Sequence, residues 1–419
     1  MKTIDIVQFT PVIGGETTLV KAMYDLLEEM GYSVRVIHPT KSGKCLKGYC
    51  LFEGQNFVKI KEFDNFVKDT DTLFFVNSIH LKKHKKIEDR ERVFESIKPM
   101  YSFQNKNVIF YEHGRHSSDL YDYPSIFKIL KEQDNKIIVF TNTKDVIPYY
   151  EDMGYNAFLI RQPFDPRNYP EINNSYDNDD PIQISFNSRY TSNKRPQNVL
   201  PFFSKYLKKD HNFILNFRGT VRDNVSVWYD LFHYFDDPKI VMNEYFEKFH
   251  QIYEDQDYCL YGVYTTKSEK GKMEYSMLEP FYYGIPLIVE KDVIQHFRYD
   301  EYGITKEEFL KCVIPLTEEN LDSIINKSFD WKPYAKNAKK LVNNFLPVSI
   351  KERLSIGLNG FDKPIKEKVK ALCPCATLML NLPSAPVCVP TLVPFTWILT
   401  PGRAEPSSLA VTVPVIVRS

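Results

Sequence analysis

Short apolar runs alternate with amphipathic helical stretches along this chain, and no other feature constrains the fold as strongly. In the first 160 residues the runs that predict strands are TIDIVQF, SVRVIHP, DTLFFVNS, NVIFYEHG, KIIVFTN and the shorter NAFLIRQP. The stretch ETTLVKAMYDLLEEMG places Val20, Met23, Leu26 and Leu27 on one helical face. This alternation is typical of a parallel α/β sheet.

The same alternation starts again after the polar stretch NNSYDNDDP. PIQISFNSR, FILNFRG, DYCLYGVYT and IPLIVE predict strands, and VLPFFSKYLKK and MLEPFYYG predict helices. A chain of 419 residues exceeds one ordinary core. We therefore expect two Rossmann-like α/β domains, residues 1–172 and 182–330, joined by a linker at 173–181. Residues 331–370, with the helical stretch KPYAKNAKKLVNNFL, are expected to cross back to the first domain.

The composition changes after Lys370. From Ala371 onward there is no Lys, Asp or Tyr, and the only charged residues are Arg403, Glu405 and Arg418. The prolines of LPSAPVCVPTLVP disfavour a helix or a central strand. We expect residues 371–419 to be a tail foreign to the fold, either non-native or disordered, and we expect the chain to fold without it.

Charge and cysteine content exclude several classes of protein. Lys plus Arg and Asp plus Glu both number 54, so a polyanion partner has to be met by a local basic patch. Before residue 370 no run of 18 apolar residues occurs, and MKTIDIVQFT lacks a signal-peptide pattern, so no membrane insertion is expected. Seven irregularly spaced cysteines predict neither a disulfide framework nor a zinc site. A reduced cytoplasmic enzyme is the favoured class.

The segment from Glu274 to Ile288 carries the strongest local pattern, EYSMLEPFYYGIPLI. A helix that begins near Ser276 holds Glu279 in its first turns, and Gly284 ends it before a buried strand. Free N–H groups at such a helix start bind phosphate, and a carboxylate there accepts hydrogen bonds from ribose hydroxyls. The alternative interpretation is that Glu279 only complements the helix dipole.

Two further segments fit the phosphates of a nucleotide. Arg189 and Lys194 follow a predicted strand and supply fixed positive charge for a leaving diphosphate, without a metal ion. The Gly14-Gly15 turn allows close backbone approach at the start of a helix. Solvated loop charges and an ordinary strand-to-helix turn are the alternatives.

Histidines and lysines in the first domain are candidates for the acceptor side. His113 and His116 follow a strand, where His113 is suited to contact a sugar or to shuttle the acceptor proton. The run HLKKHKK is a candidate DNA-backbone patch, with a solvated basic loop as the alternative. Its lysines are Lys82, Lys83, Lys85 and Lys86.

The spacings Glu-x4-Gly-x-Pro and Arg-x4-Lys resemble the donor site of retaining glycosyltransferases with two Rossmann domains. Those enzymes carry a paired acid eight residues before the Glu, where this chain has Gly271. Three segments are similar to motifs of the T-even phage DNA α-glucosyltransferases. They are Glu274 with its five-residue spacing from Glu279, the stretch YEHGRHS, and Val76-Asn77-Ser78. The Asp between that family's two histidines is replaced by Gly114-Arg115, so Glu112 or Asp119 is the expected substitute.

This resemblance implies an α/β fold of two Rossmann-like domains facing across a cleft, the GT-B type. It also implies transfer of a sugar from a UDP-sugar, with UDP-glucose favoured, to 5-hydroxymethylcytosine in duplex DNA, in the host cytoplasm if the protein is phage-encoded. The implied catalytic residues are His113, His116 and Glu274, and the implied donor-binding residues are Gly14, Gly15, Arg189, Lys194, Lys272 and Glu279. DNA contacts are expected from Lys82, Lys83, Lys85, Lys86 and Arg115.

The implied chemistry requires no divalent metal. Two alternatives stay open from the sequence. One is the same donor chemistry on a glycan or lipid-linked saccharide, and the other is a non-catalytic nucleotide- or DNA-binding module.

Overall fold

The computed structural model describes most of the chain. The described residues are 2–9, 15–44, 55–77, 87–112, 123–172, 180–187, 196–207, 211–218, 237–243, 249–261, 271–362, 367–373, 376–382, 396–397 and 415–416. Among them, no helix is both long enough and apolar enough to span a membrane.

Seven parallel strands form the first sheet, in the spatial order β3-β2-β1-β4-β5-β6-β7. They are β1 (Thr3–Gln8), β2 (Ser33–Thr40), β3 (Gln55–Lys59), β4 (Thr72–Val76), β5 (Asn107–Glu112), β6 (Lys136–Thr141) and β7 (Asn156–Leu159). The described helices that connect them are α1 (Gly15–Glu29), α2 (Phe63–Phe66), α3 (Ile87–Ile97), α4 (Tyr123–Lys131) and α5 (Ile147–Asp152).

Six parallel strands form the second sheet, in the order β10-β9-β8-β11-β12-β13. They are β8 (Ile182–Asn187), β9 (Phe213–Arg218), β10 (Ile240–Asn243), β11 (Tyr258–Tyr261), β12 (Leu287–Val289) and β13 (Val313–Pro315). Its helices are α6 (Pro196–Leu207), α7 (Tyr275–Tyr283), α8 (Lys291–His296), α9 (Tyr299–Tyr302), α10 (Lys306–Leu310), α11 (Glu318–Ile325) and α12 (Lys332–Val342), and α13 (Pro347–Leu358) follows them.

The strands of the first sheet are apolar on both faces because helices cover both of them. In the register of the sheet, Ile6 lies between Val36 and Phe74, and all three belong to one buried cluster. The next residue, Val7, packs into the cluster on the opposite face. The first cluster continues into the second domain through Leu278 and other residues of α7 and β12. The two domains therefore share one apolar core.

The chain crosses back to the first domain after α12. Helix α12 packs on α7, and the carbonyl of Phe345 then accepts a hydrogen bond from the Phe164 amide at 2.7 Å. Helix α13 lies against the first sheet, where a Cβ at Gly357 would come within 2.6 Å of the Phe140 ring. Glycine at 357 permits this close approach.

Three strands were not predicted from the sequence, and each lies at an edge of its sheet. They are β3, β10 and β13, which contain only three to five residues. An edge strand has one neighbour, so it needs fewer apolar residues and leaves a weak pattern.

The tail was expected to begin after Lys370, and the structure has a separate strand pair at this point of the chain. Strand β14 (Glu367–Cys373) runs through that position and pairs antiparallel with β15 (Ala376–Leu382). Prolines do not prevent this hairpin, because β15 is proline-free and ends directly before Pro383. A second pair, β16 (Thr396–Trp397) and β17 (Val415–Ile416), is equally separate from the two large sheets.

We expect a chain ending at Asp362 to keep the fold, since the described hairpins pair with neither large sheet. Its thermal midpoint should differ from that of the full chain by no more than about 2–4 °C, roughly the effect of 1 kcal/mol. Ending the chain at Leu346 is the matched control, because it also removes α13 with its buried Ile350 and Leu354. An equal loss of stability in both truncations would contradict this boundary.

Candidate active site

In each sheet, successive strands are added first toward one edge and then toward the other, so the strand order reverses once. The two points of reversal locate the candidate site. In the first sheet the reversal lies between β1 and β4, and in the second between β8 and β11. Open α/β sheets bind ligands outside the carboxyl ends of the strands at such reversals. Most of the chain that follows these four strands lies outside the described residues, namely 10–14, 78–86, 188–195 and 262–270. These segments carry Gly14, Arg189 and Lys194 as well as the lysines Lys82, Lys83, Lys85 and Lys86.

His113, Arg115 and His116 also lie outside the described residues, directly after β5. Strand β5 neighbours β4, so its carboxyl end adjoins the reversal of the first sheet. The structure thus gives these residues a position along the chain and no side-chain geometry.

The starts of two helices, one from each domain, meet in the described part of the site. Gly15 is the first residue of α1, and a Cβ there would lie 3.5 Å from Cδ2 of Tyr275, the first residue of α7. The first N–H groups of a helix have no partner within it, and this end of the dipole is positive. Two such ends side by side favour an anionic group.

Asn77 fixes the start of α1 relative to the sheet. Its side-chain Nδ2 donates to Glu16 Oε2 at 2.9 Å, and its backbone N–H donates to the Tyr111 carbonyl at 3.1 Å. Asn77 adopts a left-handed conformation with φ of 59°, which asparagine tolerates better than most residues. This residue ties together α1, the end of β4 and β5.

Gly271, eight residues before Glu279, stands where the backbone leaves no room for a side chain. Its φ is +87°, and a Cβ would lie 2.1 Å from the carbonyl oxygen of His296. A glutamate does not fit there without displacing backbone. The next residue, Lys272, is buried with 7% of its surface exposed.

The segment before α7 is held against the first domain by hydrogen bonds. The Gln162 side chain donates to the Met273 carbonyl at 3.0 Å, and the Tyr275 hydroxyl donates to the Pro163 carbonyl at 2.7 Å. Glu274 follows at the N-cap of α7, with an extended backbone and a half-buried side chain. The Glu274 carboxylate therefore lies at the positive end of α7 and beside the seam between the domains.

Glu279 is buried on α7, between the two domains. It is 1% exposed, and its two oxygens accept hydrogen bonds from the hydroxyls of Tyr169, at 2.9 Å, and Tyr253. Burial raises the pKa of Glu279 to about 8, and the two hydroxyl donors oppose that rise. Tyr169 ends the first domain and Tyr253 belongs to the second. A ribose reaches this carboxylate only if the seam opens around it.

Glu112, one of the two candidates for the missing family Asp, is fully buried. Its carboxylate accepts a hydrogen bond from the Tyr150 hydroxyl, within the apolar layer beneath the end of β5. Burial and the Glu112 charge raise the pKa of Tyr150. Glu112 thus supports the backbone just before His113 from the core. Asp119 lies outside the described residues.

Sequence reasoning missed Tyr169, Tyr253 and Gln162. Tyr169 and Glu279 are 110 residues apart, and Gln162 and Met273 are 111 residues apart. No local spacing reports such contacts, and the chain contains 27 tyrosines among which these two do not stand out. The core of α7 was predicted correctly, including its end at Gly284, which is left-handed with φ of 73°.

Comparison of the sequence with protein-family models and with curated proteins gives no match. Among solved structures, the fold is similar to that of an α-glucosyltransferase in complex with UDP-glucose and DNA containing an abasic site. The TM-score is 0.60 at 14% identity, over 85% of this chain and 99% of that chain.

Two further solved structures have a similar fold. The Anabaena protein HepE in complex with UDP and glucose gives a TM-score of 0.53 at 12% identity, over 86% of this chain and 100% of that one. A glycosyltransferase from Rickettsia africae gives 0.56 at 16% identity, over 86% and 99%. At these identities the likeness concerns the fold, and it confirms the predicted pair of Rossmann-like domains of the GT-B type.

Replacement of Glu279 by Gln tests the buried carboxylate. A pKa raised from 4.5 to about 8 contributes stability that is complete below pH 4.5 and is lost as the pH rises through 8. Gln stays neutral, so the unfolding free energy of Glu279→Gln relative to wild type should rise across this window. The slope is at most about 1.4 kcal/mol per pH unit. Denaturant unfolding at several pH values measures it.

The matched control is Glu319→Gln, which removes an exposed carboxylate on α11. Its difference from wild type should stay flat over the same pH range. A flat difference for Glu279→Gln as well would contradict a raised pKa at this position.

Proposed function

We propose that this protein is a retaining glycosyltransferase that uses a UDP-sugar, with UDP-glucose as the favoured donor. The favoured acceptor is 5-hydroxymethylcytosine in duplex DNA. The observation that carries the donor assignment is the meeting of the starts of α1 and α7 at the seam, between the two reversals of strand order. An anionic diphosphate suits that position.

Arg189 and Lys194 supply the positive charge that the leaving UDP requires. They follow β8, a strand at the reversal of the second sheet. As the bond between the sugar's anomeric carbon and the diphosphate breaks, negative charge grows on the phosphate oxygens. Fixed cations that interact with those oxygens lower the barrier. Buried Lys272 and the Gly14-Gly15 turn complete the phosphate side, and Glu279 contacts the ribose once the seam opens.

The reacting groups are assigned to the first domain and to Glu274. The acceptor hydroxyl oxygen forms a bond with the anomeric carbon, UDP leaves with the bonding electrons, and the hydroxyl proton departs. His113 shuttles that proton, and Glu274 and His116 face the transferred sugar. The carboxylate of Glu274 at the start of α7 is suited to the positive charge that develops on the sugar ring.

DNA as acceptor is supported by the similarity of the YEHGRHS and Val76-Asn77-Ser78 segments to the DNA α-glucosyltransferases. A solved α-glucosyltransferase of similar fold is in complex with DNA. The same fold also occurs in HepE, in complex with UDP and glucose, so it does not select DNA over a saccharide. UDP release from UDP-glucose with hydroxymethylated duplex, unmodified duplex or oligosaccharides separates these acceptors. Bound nucleotide without UDP release from any acceptor favours a binding module.

Truncation of Arg189 or Lys194 to Ala should lower kcat by about 10² or more, the loss typical of one oxyanion stabiliser. Steady-state UDP release measures it. Lys336→Ala is the matched control, because Lys336 is exposed on α12 and far along the chain from the proposed site. Normal turnover in both site variants would place the diphosphate elsewhere.

Replacement of Lys82, Lys83, Lys85 and Lys86 by Gln should weaken duplex binding and leave UDP binding unchanged. The slope of the logarithm of affinity against the logarithm of salt concentration should become shallower by about 0.9 for every DNA phosphate that is no longer neutralised. Binding isotherms at several salt concentrations measure both effects. The control replaces four exposed lysines of α12 in the same way, Lys332, Lys336, Lys339 and Lys340. Equal losses in both variants would show that net charge, and not this segment, governs DNA binding.

A further inference from the structure

A small polar cavity lies apart from the start of α7, between the end of β7 and the first turn of α13. Its volume is about 130 Å³, well above the roughly 10–15 Å³ that one water requires. It is lined by Arg161, Asn344, Ser349, Ile350 and Arg353. The lining therefore presents two guanidinium groups and an amide, without a carboxylate, while the Ser349 hydroxyl donates to the Asn343 carbonyl at 2.8 Å.

Arg161 is held in place but is not neutralised. One of its terminal nitrogens donates to the Glu301 carbonyl at 2.7 Å, and its guanidinium lies 5.8 Å from the ring centroid of Tyr302. Its Nε is buried and donates to no acceptor within the described ranges. Burial, followed by the nearby charge of Arg353, lowers the pKa of Arg161. A buried donor without an acceptor is costly, so an anion here would be favourable.

Glu301 is the acid whose charge acts on Arg161, and it does not line the cavity. One oxygen of its carboxylate pairs with Arg298 at 3.2 Å, and Arg298 also pairs with Asp145. Arg353 is exposed and makes no ion pair with any described residue. Two cations thus share one cavity with no described counter-charge lining it.

The start of α13 adds to this positive potential. The helix has 12 residues with Pro347 in its first turn, and Ser349 and Ile350 of that turn line the cavity. Backbone N–H groups at a helix start and a fork of arginines are both suited to tetrahedral oxyanions.

We propose that this cavity binds a phosphate group, held between Arg161 and Arg353 at the start of α13. The site is separate from the proposed donor site and does not depend on the proposed function. Arg161 contacts the Glu301 carbonyl of the second domain, and α13 packs on the first sheet. The phosphate is either a free ion or a phosphodiester of DNA, because both present the same oxyanion.

The test compares Arg353→Gln with Lys351→Gln in the full chain. Lys351 is exposed on the same helix and does not line the cavity, so both changes remove one charge from α13. Inorganic phosphate should raise the thermal midpoint of wild type and Lys351→Gln above the effect of sodium chloride at equal ionic strength. Arg353→Gln should require about tenfold more phosphate, the effect of removing one charged hydrogen bond. Arg161→Lys, which keeps the charge and loses the planar fork, should weaken binding as well.

Binding of unmodified duplex DNA distinguishes the two sources. If the site binds a phosphodiester, the slope of log affinity for DNA against log salt concentration should be shallower by about 0.9 in Arg353→Gln than in Lys351→Gln. If it takes free phosphate, the salt dependence of the two variants should agree while the phosphate response still differs. A phosphate effect no larger than that of chloride, or equal responses in the two variants, would overturn the proposal. UDP release is measured independently, so failure here leaves the glycosyltransferase proposal to its own test.

Discussion

The buried carboxylate of Glu279 is the interaction on which the geometry of the seam depends. Tyr169 donates a hydrogen bond to it from the end of the first domain, and Tyr253 donates one from the second domain. One side chain of α7 therefore bonds to both domains. Its pKa of about 8 means that the neutral acid is favoured near neutral pH, which lowers the cost of burial. Since α7 begins at the seam, any shift in this contact also moves the helix start assigned to the donor phosphates.

Close packing surrounds both Glu279 and Gly271, the residue eight positions before it. The backbone at Gly271 touches the carbonyl of His296, which leaves no room for a side chain. The acid that precedes Glu279 most closely is Glu274, at the N-cap of α7, where the backbone is extended and leaves room for a side chain.

The parts of the fold that the sequence predicted are those with a local physical signature. Central strands such as β4 are buried on both faces and stand out as apolar runs, and Gly284 marks the end of α7 because it is left-handed. Edge strands such as β10 leave no comparable pattern. The spacing of Glu274 and Glu279 made them candidates for the site, and their roles there stay predictions. The tyrosine partners of Glu279 were not predicted, because such contacts depend on the tertiary fold.

The balance of charge makes local anion sites necessary for any phosphate-bearing ligand. With equal numbers of acids and bases, the chain has no net field to attract one. Attraction must therefore come from local groups such as helix starts and clustered cations. Among the described residues, the paired starts of α1 and α7 and the cavity lined by Arg161 and Arg353 are of this kind. Both places lie where the first domain contacts either the second domain or the helix that follows it in the chain. A phosphate bound at either place would contact two segments of the fold at once, so its binding free energy would add to the stability of the folded state.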